Sequence, residues 1–336
     1  MTAHADAGAF SSVVLTRPPA LLPLLARGAL FSPLKRPRPD AGFPRTRLVL
    51  PGLRVDPARL TRYELLCGFA AGGGTLPITY PHVLGFPAAM RLMSERAFPL
   101  PLLGLVHTSI DITRRAPLAV TGTYEMTVHV EGLVPHRRGT QAVVVTEVRD
   151  GGEPVWESRS TYLARHRTAA EPGTAGAAGT AGAAGQERRE SPQQEVPAQE
   201  PSDQQPSEQD PSEQDPSEQD PSEQEPLPAV AEWRLAADVG RRYAAVSGDR
   251  NPIHLSSPTA RLFGFPRAIA HGMWTVARCL AAHGTPHAAH VHAEFRAPVL
   301  LPGTVRYAAA GDRFELRAPD DAGRLYVTGR VTAQAG

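Results

Sequence analysis

The chain repeats itself, and the repeat limits what it can fold into more than any other feature. Arg62-Tyr-Glu-Leu-Leu-Cys-Gly68 aligns with Arg242-Tyr-Ala-Ala-Val-Ser-Gly248 at an offset of 180 residues, and Arg115-Ala-Pro-Leu-Ala-Val-Thr-Gly-Thr123 aligns with Arg296-Ala-Pro-Val-Leu-Leu-Pro-Gly-Thr304 at 181. Two separated matches at one spacing imply two copies of one fold. A length of 336 residues suits about two domains, and 41% hydrophobic residues suffice for two cores. Each copy carries a helix-like segment and then alternating runs: residues 122–130, 140–148 and 153–162 in the first, residues 290–296, 304–309, 313–317 and 325–331 in the second. Helix followed by successive antiparallel strands, twice over, is an α+β pattern.

The chemistry concentrates in the second copy. Asp238-Val-Gly-Arg-Arg-Tyr-Ala-Ala-Val246 reads as a short helix with Asp238 as N-cap, stopped at Ser247-Gly248. Then come a carboxylate (Asp249), an amide (Asn251) and an imidazole (His254) within six residues. Pro252 biases Asn251 towards an extended backbone, so the chain turns after Asp249 and can bring His254 back to it. Such a loop can hold one water between an acid and a base, and histidine as general acid or base contributes about 10²–10⁴ in rate. Downstream, Ala268-Ile-Ala-His-Gly-Met273 leads into an apolar helix. A glycine in the first turn of a buried helix, here Gly272, presents a free backbone N–H to a substrate carbonyl. Each element alone is also an ordinary turn or packing feature; their combination over twenty-five residues favours a site.

The run Ser247-Gly-Asp-Arg-Asn-Pro-Ile-His254, with Ala260-Arg-Leu-Phe-Gly-Phe-Pro266 and Ile269-Ala-His-Gly-Met273, resembles the hydratase-2 motif of the MaoC-like, (R)-specific enoyl-thioester hydratases and dehydratases. The resemblance implies a hotdog fold, a curved antiparallel sheet wrapped around a long helix. It also implies that Asp249 and His254 are catalytic, that Asn251 positions the water, and that the Gly272 N–H binds the thioester carbonyl. Ile269, His271, Met273 and Tyr80 are expected to line the substrate. Leu76-Pro-Ile-Thr-Tyr-Pro81, His136-Arg-Arg-Gly139, Leu262-Phe-Gly-Phe-Pro266 and Pro298-Val-Leu-Leu-Pro302 extend the likeness to the double-hotdog (3R)-hydroxyacyl-thioester dehydratases of mycobacteria, over roughly residues 45–165 and 230–333. The implied reaction interconverts (3R)-3-hydroxyacyl and trans-2-enoyl thioesters. No cofactor or metal is implied beyond the carrier of the acyl group, coenzyme A or an acyl carrier protein, and a homodimer of double hotdogs is the implied assembly.

The first copy departs from this pattern. Phe69 stands where the second copy has Asp249, and Ala70-Ala-Gly-Gly-Gly74 replaces the loop that carries His254. Its central helix, expected from Tyr80-Pro81 to Met93, has no His-Gly-Met. Residues 45–165 are thus expected to form a non-catalytic hotdog that completes the sheet and makes room for the acyl chain, and residues 228–336 the catalytic one. Residues 1–44 read as an extension packed on the first domain: the apolar stretch from Pro19 to Phe31 is broken by prolines and Arg27 and is too short to span a bilayer. Between the copies, residues 166–227 pass from Gly/Ala-rich sequence to an acidic Pro/Ser/Glu/Gln tract, the composition of a disordered linker.

Other functions are excluded or weakened by composition. A formal net charge of +1 gives no nucleic-acid footprint. Cys67 and Cys279, the two cysteines, lie in helical segments and read as buried thiols of a reducing cytoplasm. His283, His287, His290 and His292 lack metal-site spacing. Two alternatives remain open: a non-catalytic acyl-binding subunit of a dehydratase or synthase complex, and a hotdog thioesterase.

Overall fold

In a computed structural model of the chain, residues 10–166, 227–320 and 323–334 are described. Their strands form one eleven-stranded sheet in the order β1-β2-β4-β5-β6-β3-β8-β11-β10-β9-β7. The first copy supplies β2 (Thr46–Arg54), β3 (Val106–Arg114), β4 (Thr123–His136), β5 (Gly139–Asp150) and β6 (Glu153–Arg165). The second supplies β7 (Ala229–Leu235), β8 (Ala289–Phe295), β9 (Gly303–Ala310), β10 (Arg313–Arg317) and β11 (Leu325–Ala333). Read outwards from the middle, β3-β6-β5-β4-β2 mirrors β8-β11-β10-β9-β7. The sequence repeat is therefore a structural two-fold, and both copies belong to one compact unit. This is the double hotdog, with central helices α3 (Tyr80–Met93) and α7 (Gly272–His283) in the two halves.

The halves join at a pairing of buried strands. Ile110 faces Ala293 and Ile112 faces Val291 across the antiparallel β3–β8 ladder, and all four are 0% exposed. Above the seam, α2 (Pro57–Cys67) meets α4 (Val239–Ser247). There Tyr63 and Tyr243, repeat equivalents, sit with ring centroids 6.2 Å apart. Hydrogen bonds cross the same boundary: the Trp274 indole donates to the Leu66 carbonyl at 3.2 Å, and the Arg59 guanidinium donates to the carbonyls of Val246 (2.6 Å) and Ser247 (3.2 Å). A cation on the last carbonyls of α4 satisfies acceptors the helix cannot.

Local sequence explains most boundaries. Pro57 opens α2 behind Asp56, whose carboxylate accepts from the N–H groups of Ala58 and Arg59, and Gly68 closes it at φ 83°. Helix α3 spans the expected residues. At the start of α4, however, Asp238 occupies the N-cap position without a side-chain capping bond, because its backbone is already helical there (φ −95°, ψ −1°). Strands β2, β3 and β7 were not among the expected runs. The Ile110-Asp111-Ile112 alternation of β3 is short, and partners distant in sequence, β6 and β8, hold it in place.

Residues of the N-terminal extension pack on the first half. Strand β1 (Ser11–Val14) adds to the sheet in parallel with β2, and α1 (Leu21–Phe31) lies on α3. Arg27 donates to the Arg91 carbonyl and the Ser94 hydroxyl, and Lys35 to the Glu95 carbonyl at 2.9 Å. Both cysteines are buried and free. Among the described residues no helix is long and apolar enough to cross a membrane. The expected linker concerns residues outside the described ones.

Because the seam is a core contact, the halves should unfold together. We expect coincident urea transitions by far-ultraviolet circular dichroism and by fluorescence of Trp156, Trp233 and Trp274. Ile112→Ala should lower stability by about 2–5 kcal/mol without splitting the transition; two separated transitions would show the halves to be independent.

Candidate active site

The turn from Gly248 to His254 is assembled by short-range bonds. Gly248 ends α4 in the left-handed region (φ 85°), its N–H on the Ala244 carbonyl. The Ser247 hydroxyl donates to the Tyr243 carbonyl at 2.8 Å and accepts the Asp249 N–H at 3.1 Å. Asp249 Oδ1 in turn accepts the Asn251 N–H at 3.1 Å. Asn251 adopts the extended backbone that Pro252 favours, and its Oδ1 accepts from Ile253 N at 3.4 Å to cap α5 (Pro252–Leu255). The side-chain oxygen expected to orient a water thus serves a helix start, leaving the amide NH₂ for other partners. Behind α5 lies Gly240: a Cβ there would sit 2.0 Å from the His254 carbonyl oxygen, so only glycine lets α5 rest on α4.

Two imidazoles face the carboxylate. His254 Nδ1 donates to the Ile269 carbonyl at 2.8 Å, which leaves Nε2 as the basic nitrogen. His271 Nε2 donates to the Asp249 backbone carbonyl at 3.0 Å and lies 3.8 Å from Asp249 Oδ2. The two rings stack at 3.7 Å between centroids, and Tyr243 packs on His271 at 4.8 Å. Burial pushes the His254 pKa below the usual imidazole value, opposed by the Asp249 charge. It pushes His271 down further, aided by repulsion from His254. Asp249 moves the other way: burial raises it, against His254 and the Asn251 N–H. The pair is thus tuned as a neutral base beside a carboxyl that holds its proton more readily than usual.

Gly272 is the first residue of α7, where a helix N–H has no intrahelical acceptor. A Cβ on it would meet the Phe295 ring at 2.8 Å, so glycine is required by close approach. Ile269 acts through its backbone, holding His254 and bridging to Leu300. Met273 is buried in the core. Tyr80 is fully buried and packs on Tyr63 at 5.0 Å.

The first half nevertheless reaches the site. Asp249 raises the pKa of the buried Tyr162 phenol of β6, a secondary effect beside burial. The His107 ring of β3 stacks on Tyr162 at 4.6 Å and tilts against Phe295 at 4.7 Å. Sequence reading did not identify Tyr162, His107, Phe295, Gly240 or Arg59. Only Gly240 carried a local hint, an unexplained glycine inside a helix.

Asp249, His254 and His271 also bring ligand-type atoms within 4.8 Å of one another, the one such group among the described residues. This donor set could hold a divalent cation. Spacing gave no sign of it, because the third donor comes from a separate loop.

The comparisons agree with the geometry. A family profile described as a MaoC-like domain matches residues 216–315. The 3-hydroxyacyl-thioester dehydratase X of Mycobacterium tuberculosis is 34% identical over 301 residues, 89% of this chain and 91% of that protein. The chain belongs to the MaoC-like dehydratase family. A 3-hydroxybutyryl-CoA dehydratase of Methylorubrum extorquens is 43% identical over 65 residues, 18% of this chain and 41% of that one. Among solved structures, HtdX of M. tuberculosis superposes with a TM-score of 0.64 at 30% identity, covering 86% of this chain and 100% of its own. A MaoC-like dehydratase from Phytophthora capsici shares the fold, with a TM-score of 0.56 at 18% identity over 86% of this chain and 94% of that one.

Two outcomes are expected of this MaoC-like site. Gly272→Ala keeps the N–H but drives a methyl into Phe295, and the resulting displacement should lower kcat/KM by about 10²-fold. Stability should fall on acidification, because His82, His107, His254 and His271 all have lowered pKa values, that of His82 about 4. Unfolded imidazoles take up protons near pH 6.5 while the folded ones refuse them, so the loss begins there and grows as pH falls towards 4. A melting temperature unchanged between pH 7.5 and 5 would contradict this.

Proposed function

We propose that the chain catalyses the reversible syn dehydration of (3R)-3-hydroxyacyl thioesters to trans-2-enoyl thioesters, the acyl group being carried on coenzyme A or an acyl carrier protein. The observation that carries this reading is the anchoring of His254 Nδ1 to Ile269, which leaves a neutral Nε2 as the base in a group where Asp249 and His254 bring polar atoms within 4.8 Å of each other. In dehydration, His254 Nε2 takes the proton from C2. The Gly272 N–H stabilises charge developing on the thioester oxygen. Asp249, whose raised pKa favours the protonated form, delivers its proton to the departing C3 hydroxyl. Hydration reverses each transfer, with the Asp249 carboxylate accepting a proton from the attacking water. Water is the only co-product, so the step balances without a redox partner. Support comes also from dehydratase X, a relative over most of its length.

A thioesterase is disfavoured by the chemistry of the group, whose acid and base flank one position rather than presenting a nucleophile. A non-catalytic subunit is disfavoured by the bonds that fix every member of the catalytic turn.

Crotonyl-CoA and a medium-chain 2-enoyl-CoA should lose their conjugated ultraviolet absorbance on addition of the protein and yield the (3R) product. His254→Ala and Asp249→Ala should each reduce the rate by about 10²–10⁴. The acid limb of kcat/KM should lie below pH 6.5, because the neutral imidazole persists to lower pH than a free one. Release of free thiol would indicate the thioesterase instead.

A further inference from the structure

Beyond the group around Asp249, the first half holds two imidazoles that the mechanism does not use, one buried and one half-buried. His82, in the first turn of α3, and His107, on β3, lie nearly parallel with centroids 6.0 Å apart. His107 is joined to the site by contact: its ring touches Phe295, and Phe295 lies against Gly272. Tyr162, on which His107 stacks, feels the charge of Asp249. Ring contacts thus run from Gly272 through Phe295 and His107 towards His82.

Both histidines carry an unmet bonding requirement. His82 is 8% exposed, and its Nδ1 has no hydrogen-bond partner; His107 Nε2 is likewise shut off from solvent and unpartnered. His107 bonds the Ser109 backbone in the sense that favours a protonated nitrogen, so its proton sits on that side and Nε2 presents a bare lone pair. Burial keeps both rings neutral, His82 at about 4 and His107 well below the usual value. The bare Nε2 of a neutral His107 gives no attraction for a carboxylate or phosphate. It calls for an O–H or N–H donor, and leaving a buried polar atom unmatched is costly enough that such atoms are rare.

We propose that His82 and His107 form a polar receptor for the acyl group, so that this dehydratase selects acyl chains bearing a hydroxyl or other neutral hydrogen-bond donor beyond C3 over plain alkyl chains. The inference rests on the dehydratase reading above. The acyl end is the fitting occupant because the carrier arm must run out to solvent, whereas His82 is enclosed. The degenerate half then sets specificity for chemistry performed by the other.

The test compares a matched pair of 2-enoyl-CoA substrates of equal chain length, one plain and one with a hydroxyl near its end. The wild-type protein should favour the hydroxylated substrate in kcat/KM by at least about tenfold, the worth of one hydrogen bond to a buried group. His107→Phe keeps the ring stacked between Tyr162 and Phe295 but removes the acceptor, and the ratio should fall towards one; His82→Phe should act in the same direction. Because the readout is a ratio, partial loss of folded protein does not imitate it. No preference in the wild-type protein overturns the proposal, as does a preference that survives both substitutions. Equal loss on both substrates would assign the imidazoles to the shared pantetheine arm and overturn the acyl assignment. Failure to turn over any enoyl thioester would instead defeat the dehydratase reading itself.

Discussion

The structure depends on the antiparallel pairing of β3 with β8. That ladder turns two five-stranded sheets into one, and its inward residues Ile110, Ile112, Val291 and Ala293 are fully buried. Everything that crosses between the copies is arranged around it: the Tyr63–Tyr243 contact, the Arg59 bonds to the end of α4, and the indole of Trp274 on α2. Since Arg59 holds the carbonyls just before Asp249, the joint between halves also fixes the end of the helix that leads into the candidate site. A single hotdog would have to find the same support in a second chain.

The site itself is organised by backbone atoms more than by its named side chains. The Ile269 carbonyl selects the His254 tautomer, the Asp249 carbonyl anchors His271, and a left-handed glycine sets where Asp249 begins. Burial then separates the proton affinities, lowering the imidazoles and raising the carboxyl. Groups prepared in this way need little rearrangement when charge develops, the condition under which fixed dipoles stabilise a transition state most.

Much of this was legible in the sequence, for identifiable reasons. The two-fold showed because the repeated Arg-Tyr and Arg-Ala-Pro segments lie at turns and helix faces that both copies need. The catalytic loop showed because acid, amide and base fall within one turn, where local geometry is written locally. Phe295, Tyr162 and His107 did not show. Each sits on a strand, looks like an ordinary β residue, and gains its meaning only when β3, β6 and β8 come together across the seam. His82, too, gains its meaning only from its alignment with His107 on a distant strand.

The replacement of Asp249 by Phe69 in the first copy bears on how such a chain can change over time. Where one half holds a half-buried carboxyl whose charged form desolvation disfavours, the other lays a phenyl ring nearly parallel to Tyr63, with centroids 6.3 Å apart. A symmetric dimer must tolerate its frustrated patch twice. Fusion confines that frustration to one half and lets the other relax into ordinary apolar packing, leaving a reserve of stability against which the residues around the surviving site are free to vary.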